Sequence, residues 1–356
     1  MSGQPFRLLD TGVHDGRWNV ALDQVLIDAH RAGEAPDTLR FLRFSPSALV
    51  GRHQDLSREV DLDYCARHGI DVGRRVTGGG ALYLDENQLG WELVCARGAL
   101  GGGNLGDIAA RLCTAAAEGL SRLGVPARFR PRNDIEVDGR KIGGTGGFFD
   151  GDTLFYQGTV LIDLDPGVMF DVLRVPGAKR ARHADAAPAA RVTSLTEACG
   201  GRPPALLAVC AALTAGFADA LGIEVAEGWL SAAEEQAVAA SYRDDIGSAE
   251  FVNDIDHPGR GDGVRSVTRD TPGGLVEVHL KLAAGGTPRI ASVIVSGDFF
   301  VTPPRVIYDL EGALRDTRVA DIERNVAAFL EQAGIETLSL APDDLAAAIR
   351  AAAEAD

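Results

Sequence analysis

Residues 70–86 read IDVGRRVTGGGALYLDE, and their order decides the fold. Ile70 to Val76 predicts a strand that runs into Gly78-Gly79-Gly80, and Ala81 to Asp85 leaves the turn as another. Three glycines between two strands let backbone N–H groups approach a ligand closely, and such a turn can nest an anion. Arg74 and Arg75 add fixed charge, and Thr77 adds a hydroxyl. No Gly-Lys-Ser/Thr follows, so this is no Walker loop. No helix opens on the glycines, so it is no dinucleotide fingerprint either. A plain hairpin turn has the same composition.

Working outward, RPRNDIEVDGRKIGGTGG (130–147) predicts a hairpin over 134–144 turning at Asp138-Gly139. It carries Lys141 beside glycines. Only three of the 35 basic residues are lysines (Lys141, Lys179, Lys281). Where arginine serves every ordinary need for charge, a retained lysine marks a place for a compact cation beside a phosphate or carbonyl oxygen. A solvated hairpin lysine is the plain alternative. Asn133 and Asp134 suit a metal or a ribose, and equally a hairpin cap. A further strand, TLFYQGTVLIDL (153–164), contains Tyr156-Gln157-Gly158-Thr159. Gly-Thr there permits either close ligand approach or a bulge. The seven histidines form no metal-binding pattern, and no Ser-His-Asp arrangement is visible.

Apolar spacing predicts helices over 18–33, 104–123 and 203–221, and a short one over 61–68. LRFLRF (39–44) and ALVG (48–51) read as strands. Residues 175–192 have no period and read as a long mobile loop. Residues 225–262 read as a polar, weakly helical connector. Three strands follow within 264–299, then helices near 303–314 and 319–334. The expected domains are 1–245, a linker at 246–262, and a small unit at 263–356. The fold class is α/β (α+β): a mixed, largely antiparallel sheet flanked by helices, with a small α+β domain behind it.

The chain has 356 residues and a net charge of −16. That excludes an overall basic field for nucleic acid or anionic membrane. Five scattered cysteines without a CxxC pair fit a reducing compartment. No secretory leader or membrane span is expected, which places the protein in the cytoplasm, as a monomer.

Taken together, WNVALDQVLID, the stretch LRFLRFSPSALVGRHQDLSREVDLDYCARHGIDVGRRVTGGGALYLDE, then RPRNDIEVDGRKIGGTGG, FYQGTVL and ARVTSL resemble the lipoate–protein ligase branch of the biotin/lipoate ligase family over most of residues 18–200. ASVIVSGDFFVTPPRVIYDLEGAL resembles the accessory domain of these ligases. The resemblance implies activation of lipoate by ATP and Mg²⁺ to lipoyl-AMP, then acyl transfer to a lysine of an acceptor lipoyl-domain protein. Acceptors of that kind are the swinging domain of a 2-oxoacid dehydrogenase, the glycine-cleavage carrier or a related lipoate-binding protein. It places the catalytic lysine at Lys141. It places adenylate contacts at Arg75, Thr77, Gly78, Gly79, Gly80, Ala81, Leu82, Tyr83, Asn133, Asp134, Lys141, Gly158 and Thr159. Lipoate contacts fall on Arg75, Gly80, Leu84, Lys141 and Gln157, and a Mg²⁺ ligand on Asp134. Lys179, Arg180 and Arg182 fall in an adenylate-covering loop. The arginines at 174, 180, 182 and 191 are expected to offer a basic surface to an acidic acceptor. Two positions depart from the family pattern: Leu84 and Gln157 stand where histidines are usual. Two alternatives carry over. One is an ATP-independent octanoyl or lipoyl transferase, whose cysteine type has its nucleophile shortly before the lysine hairpin, where 120–140 has none. The other is a non-catalytic lipoate or nucleotide regulator. A hinge near 245–262 is expected to let the second domain swing.

Overall fold

The computed structural model describes residues 5–174, 191–337 and 340–355. Its frame is an eight-stranded mixed sheet. Strands β1 (Phe6–His14), β2 (Thr38–Phe44), β6 (Gln88–Ala96), β7 (Ala127–Arg130), β8 (Asp134–Val137), β9 (Arg140–Asp150), β10 (Thr153–Leu161) and β11 (Val225–Glu227) lie in the order β11-β1-β2-β6-β10-β9-β8-β7. The two β1 pairings are parallel and the rest antiparallel. A smaller sheet of β3 (Ser47–Val50), β4 (Asp71–Arg74) and β5 (Leu82–Leu84) has the order β4-β3-β5. The glycine triplet joins β4 to β5. The β8–β9 hairpin turns at Asp138 and Gly139, at φ +50° and +80°, the left-handed pair that suits a tight two-residue turn.

Each face of the large sheet has its own core. On one side α2 (Leu105–Ser121) and α3 (Leu206–Leu221) cover Trp91, Leu93 and Tyr156. On the other, α1 (Gly16–Arg31) brings Val20, Leu22 and Leu26 against Leu42, Phe44, Phe148 and Phe155. Asp15 caps α1 by accepting from the Trp18 N–H.

Residues 225–262, read from the sequence as a polar, weakly helical connector, pack against the first part of the chain. β11 extends the sheet beside β1. Helix α4 (Ala232–Asp244) places Val238, with Ile246 just beyond it, in the α1 core. Arg7 pairs with Glu234 at 2.7 Å, and Tyr242 Oη donates to Asp15 at 2.9 Å. Polar contacts hold this segment, so its apolar periodicity is faint. Within 246–262, Val252 and Ile255 are also buried.

The C-terminal part is a three-stranded antiparallel sheet, β12 (Val264–Thr271), β13 (Gly274–Leu282) and β14 (Ile290–Gly297). It packs with α5 (Val306–Ala313), α6 (Ile322–Ala333) and α7 (Pro342–Glu354) around a separate core. The sequence reading omits α7 and the strands β1, β6, β7 and β11. No helix among the described residues is long and apolar enough to cross a membrane.

Candidate active site

The site lies on the α1 face of the large sheet, under the glycine turn. Two cross-strand rows form its floor. Leu42, Gly90 and Thr159 face one another across β2, β6 and β10, and Thr159 Oγ1 reaches the Gly144 carbonyl on β9 at 3.5 Å. Arg40, Glu92, Gln157 and Gly146 form the second row on the same four strands. Side chains two apart on a strand share a face, so both rows point up. The floor encloses a cavity of about 310 Å³ with Val20, Phe44, Leu49, Leu84 and Phe300 among its walls.

Lys141 reaches this floor because of a bulge. Ile135 faces Gly143 while Glu136 faces Lys141, leaving one unmatched residue on β9. Its Nζ lies 2.7 Å from Asp134 Oδ1. A Cβ on Gly144 would stand 2.7 Å from the same Nζ. Glycine there opens the space the ammonium occupies. Burial alone would raise the Asp134 carboxyl, but Lys141 and Arg130 hold it below its ordinary value.

Arg75 is buried at the roof. Its guanidinium donates to the carbonyls of Leu49 (2.9 Å), Gly78 (3.1 Å) and Gly80 (2.8 Å), and Nε donates to Thr77 Oγ1 (3.3 Å). These bonds brace the turn, where Gly79 adopts φ +92°. No carboxylate pairs with Arg75 among the described residues, and burial lowers it to about 10. An uncompensated buried cation beside a cavity favours an anionic ligand. Gln157 Nε2 donates to Thr77 Oγ1 at 2.7 Å, linking floor to roof. Asn133 Nδ2 holds the Thr145 carbonyl at 2.5 Å.

Arg75, Thr77, Gly78, Gly79, Gly80, Ala81, Leu82, Tyr83, Leu84, Asn133, Lys141, Gln157, Gly158 and Thr159 all line the one cavity. Asp134 does not, and meets it through Lys141. Lys179, Arg180 and Arg182 lie outside the described residues. Asp134 has both oxygens engaged, Oδ1 by Lys141 and Oδ2 by Arg130 at 2.6 Å. The described residues bring one His/Asp group within metal-sharing distance, Asp55, Asp256 and His257, and none of the three lines the cavity.

Sequence reasoning missed the acidic part of the wall. Asp23 on α1 and Glu92 on β6 both line the cavity and both pair with the buried Arg40. The available signal was charge inside otherwise apolar elements, Arg40 within LRFLRF and Glu92 within LGWELV. It also missed Phe300, which arrives from the C-terminal unit. The Phe299 carbonyl accepts from the Gly79 N–H at 3.2 Å, and the Phe300 ring lies over Gly79 and Gly146.

Comparison with known proteins shows the family and the fold. The model of the lipoyl protein ligase A/B catalytic domain matches residues 15–218. Octanoyltransferase LipM of Symbiobacterium thermophilum is 32% identical over 254 residues, covering 65% of this chain and 92% of that one. Lipoate-protein ligase LplJ of Bacillus subtilis is 31% identical over 151 residues, covering 42% and 44%. A solved lipoate-protein ligase A bound with ATP superposes with a TM-score of 0.61 at 25% identity, covering 72% of this chain and 100% of that one. With a matching catalytic-domain model over more than half its length and a mixed sheet of the same fold, the chain belongs to the lipoyl protein ligase A/B catalytic-domain family, whose work is the lipoate-type modification of proteins.

Proposed function

We propose that the protein activates lipoate with ATP and then lipoylates a lysine of an acceptor lipoyl-domain protein. The lipoate carboxylate attacks the α-phosphorus and pyrophosphate leaves. The acceptor amine then attacks the acyl carbon and AMP leaves. One observation carries this reading: among the described residues, the cavity is lined by two cations and no thiol. Lys141 and Arg75 line it, and no cysteine does. Cys113 touches Thr145 Oγ1 at 3.2 Å from the core side and is fully buried, and burial pushes its thiol up. Acyl transfer through cysteine requires an accessible thiolate.

In this reading the Lys141 ammonium faces the oxygens on which charge changes, and Arg75 with the turn 77–83 holds the adenylate. Mg²⁺ comes with the nucleotide phosphates. The apolar walls take the acyl chain. On the two-domain reading, the Gly79 N–H now spent on Phe299 becomes available to a phosphate once the unit at 263–356 turns about 246–262. Arg174 and Arg191 are the described part of the proposed basic face, and Arg174 already donates to the Ser57 carbonyl at 2.9 Å.

The names of relatives such as LipM favour a second reading, ATP-independent octanoyl transfer. Lipoate-dependent ATP–pyrophosphate exchange in wild type and Lys141→Ala separates the two. Exchange that disappears in the variant is expected. Octanoyl transfer from an acyl carrier without ATP, with no exchange on lipoate or octanoate, overturns the ligase reading.

A further inference from the structure

The acid end of the cavity has a charge imbalance. Arg40 is fully buried, and its Nη1 lies 2.7 Å from Asp23 Oδ1 and 3.0 Å from Glu92 Oε2. Its Nη2 donates to Asn19 Oδ1 at 2.6 Å and its Nε to Thr11 Oγ1 at 3.0 Å. Two buried carboxylates therefore share one guanidinium. Burial raises both acids, and the Glu92 charge raises Asp23 further. Burial favours the proton-bound form of the pair, and the cluster is strongly polar on the cavity wall.

Its position follows from the sheet. The Lys141 ammonium lies over Gly144, in the row of Thr159 and Gly90. Glu92 is two strands across and two residues along from that point, about 12 Å on ordinary sheet spacings. That matches an extended eight-carbon acid whose carboxylate rests on the ammonium. Leu42 and Phe44 wall the space between, and Val20 stands one helical turn from Asp23. The distal end of such a chain reaches the acid pair.

We propose that Asp23, Glu92 and Arg40 determine acyl specificity, selecting a chain with sulfur at its distal end over a saturated chain of equal length. A dithiolane sulfur is a weak acceptor for the carboxyl O–H, and a reduced dithiol donates S–H to the carboxylate. A terminal methyl excludes water from the pair and returns no partner. Sites built on polar contacts reject analogues lacking the partner more strongly than apolar pockets reject an extra methylene.

The inference rests on the acyl-binding reading of this cavity, though not on ATP use. The test is equilibrium binding of lipoate, reduced lipoate and octanoate, alongside exchange kinetics. Wild type is expected to favour the sulfur acids about tenfold or more. The two sulfur acids, compared with each other, tell acceptor from donor recognition. In D23L/R40M/E92M the whole cluster is replaced by apolar groups of similar volume, a change that folded proteins often tolerate. There the preference is expected to fall toward unity. Asp23→Asn keeps size and polarity, and a smaller fall is expected if the triple variant fails to fold. An unchanged ratio in either folded variant, or binding of neither acid, overturns the inference. No exchange in wild type, with a binding ratio that collapses in the variants, supports it while removing the ATP-dependent reading. Normal exchange with an unchanged ratio does the opposite.

Discussion

The Lys141 ammonium rests against the bare Cα of Gly144, in space that a Cβ would claim at 2.7 Å. The side chain there is a flexible tip, so Gly144→Ala moves Nζ at little cost to the fold. The expected result is a thermal midpoint near that of wild type with lipoate-dependent exchange reduced about 10- to 100-fold, since displacements near 1 Å at a reacting centre act on that scale. Parallel melting and exchange measurements check it. Exchange at the wild-type rate in a folded Gly144→Ala protein rejects the placement.

Lys141→Arg tests whether charge alone suffices. An arginine preserves the pairing with Asp134 but replaces a compact ammonium by a wide planar fork. Single-turnover adenylate formation is expected to fall about 100-fold or more, the scale of losing one preorganised oxyanion donor. Activity within a few-fold of wild type would show that this rare lysine is a solvated hairpin residue.

Legibility followed the range of the interactions. The glycine turn and the Asp138-Gly139 hairpin were readable because each is a local backbone requirement written in adjacent residues. The acyl-facing wall was not. Val20, Leu42 and Leu49 look like core residues in sequence, and only the register of β2 against β6 puts Leu42 opposite Gly90. Phe300 comes from the far end of the chain. How the segment 225–262 attaches was not legible, because its attachment is polar. Glu234 is buried through Arg7, a partner no periodicity reveals.

Gln157 joins floor to roof through Thr77 and carries no titratable proton. The acid limb of the pH–rate profile is expected to lack an ionisation from this position. Gln157→His is expected to add one between pH 5 and 8. Gln157→Ala is expected to cost about 1 kcal/mol in ligand binding, because Thr77 Oγ1 keeps its bond from Arg75. Coincident profiles for wild type and Gln157→His would mean that the side chain is remote from the reacting groups.

His53 gives a pH prediction. It stacks on Phe299 with ring centroids 5.3 Å apart, and neither ring nitrogen makes a hydrogen bond. Burial, with Arg52 and Arg74 adding to it, lowers the imidazole from 6.5 to about 3. The unfolded chain therefore binds a proton that the folded chain refuses between those values. The contribution is fully present above pH 6.5 and is lost as pH falls toward 3, at most on the order of 1 kcal/mol per pH unit. Denaturant unfolding at pH 7 and pH 5 should show a smaller drop for His53→Phe than for wild type. Equal drops would mean that the histidine is solvated.

Arg74 supplies the last prediction, which bears on where the first domain ends. Its guanidinium is almost fully buried and donates to five carbonyls. Gly51, Arg52 and Gln54 supply three at 3.2, 3.2 and 2.7 Å, and Val252 and Ile255 supply two at 3.2 and 2.9 Å. The last two lie in the segment proposed as the hinge. A chain cut after residue 245 removes both acceptors and uncovers the guanidinium, and it strips Ile246 from the α1 core. A chain cut after 262 keeps them. Breaking the support of a buried charge costs about 3 kcal/mol or more, so the shorter chain is expected to melt at least several degrees below the longer one. Thermal melting of both truncations decides it. Equal midpoints would place the whole of 246–262 outside the first folding unit and make all of it available as hinge. A lower midpoint for the shorter chain confines the hinge to the residues beyond Ile255.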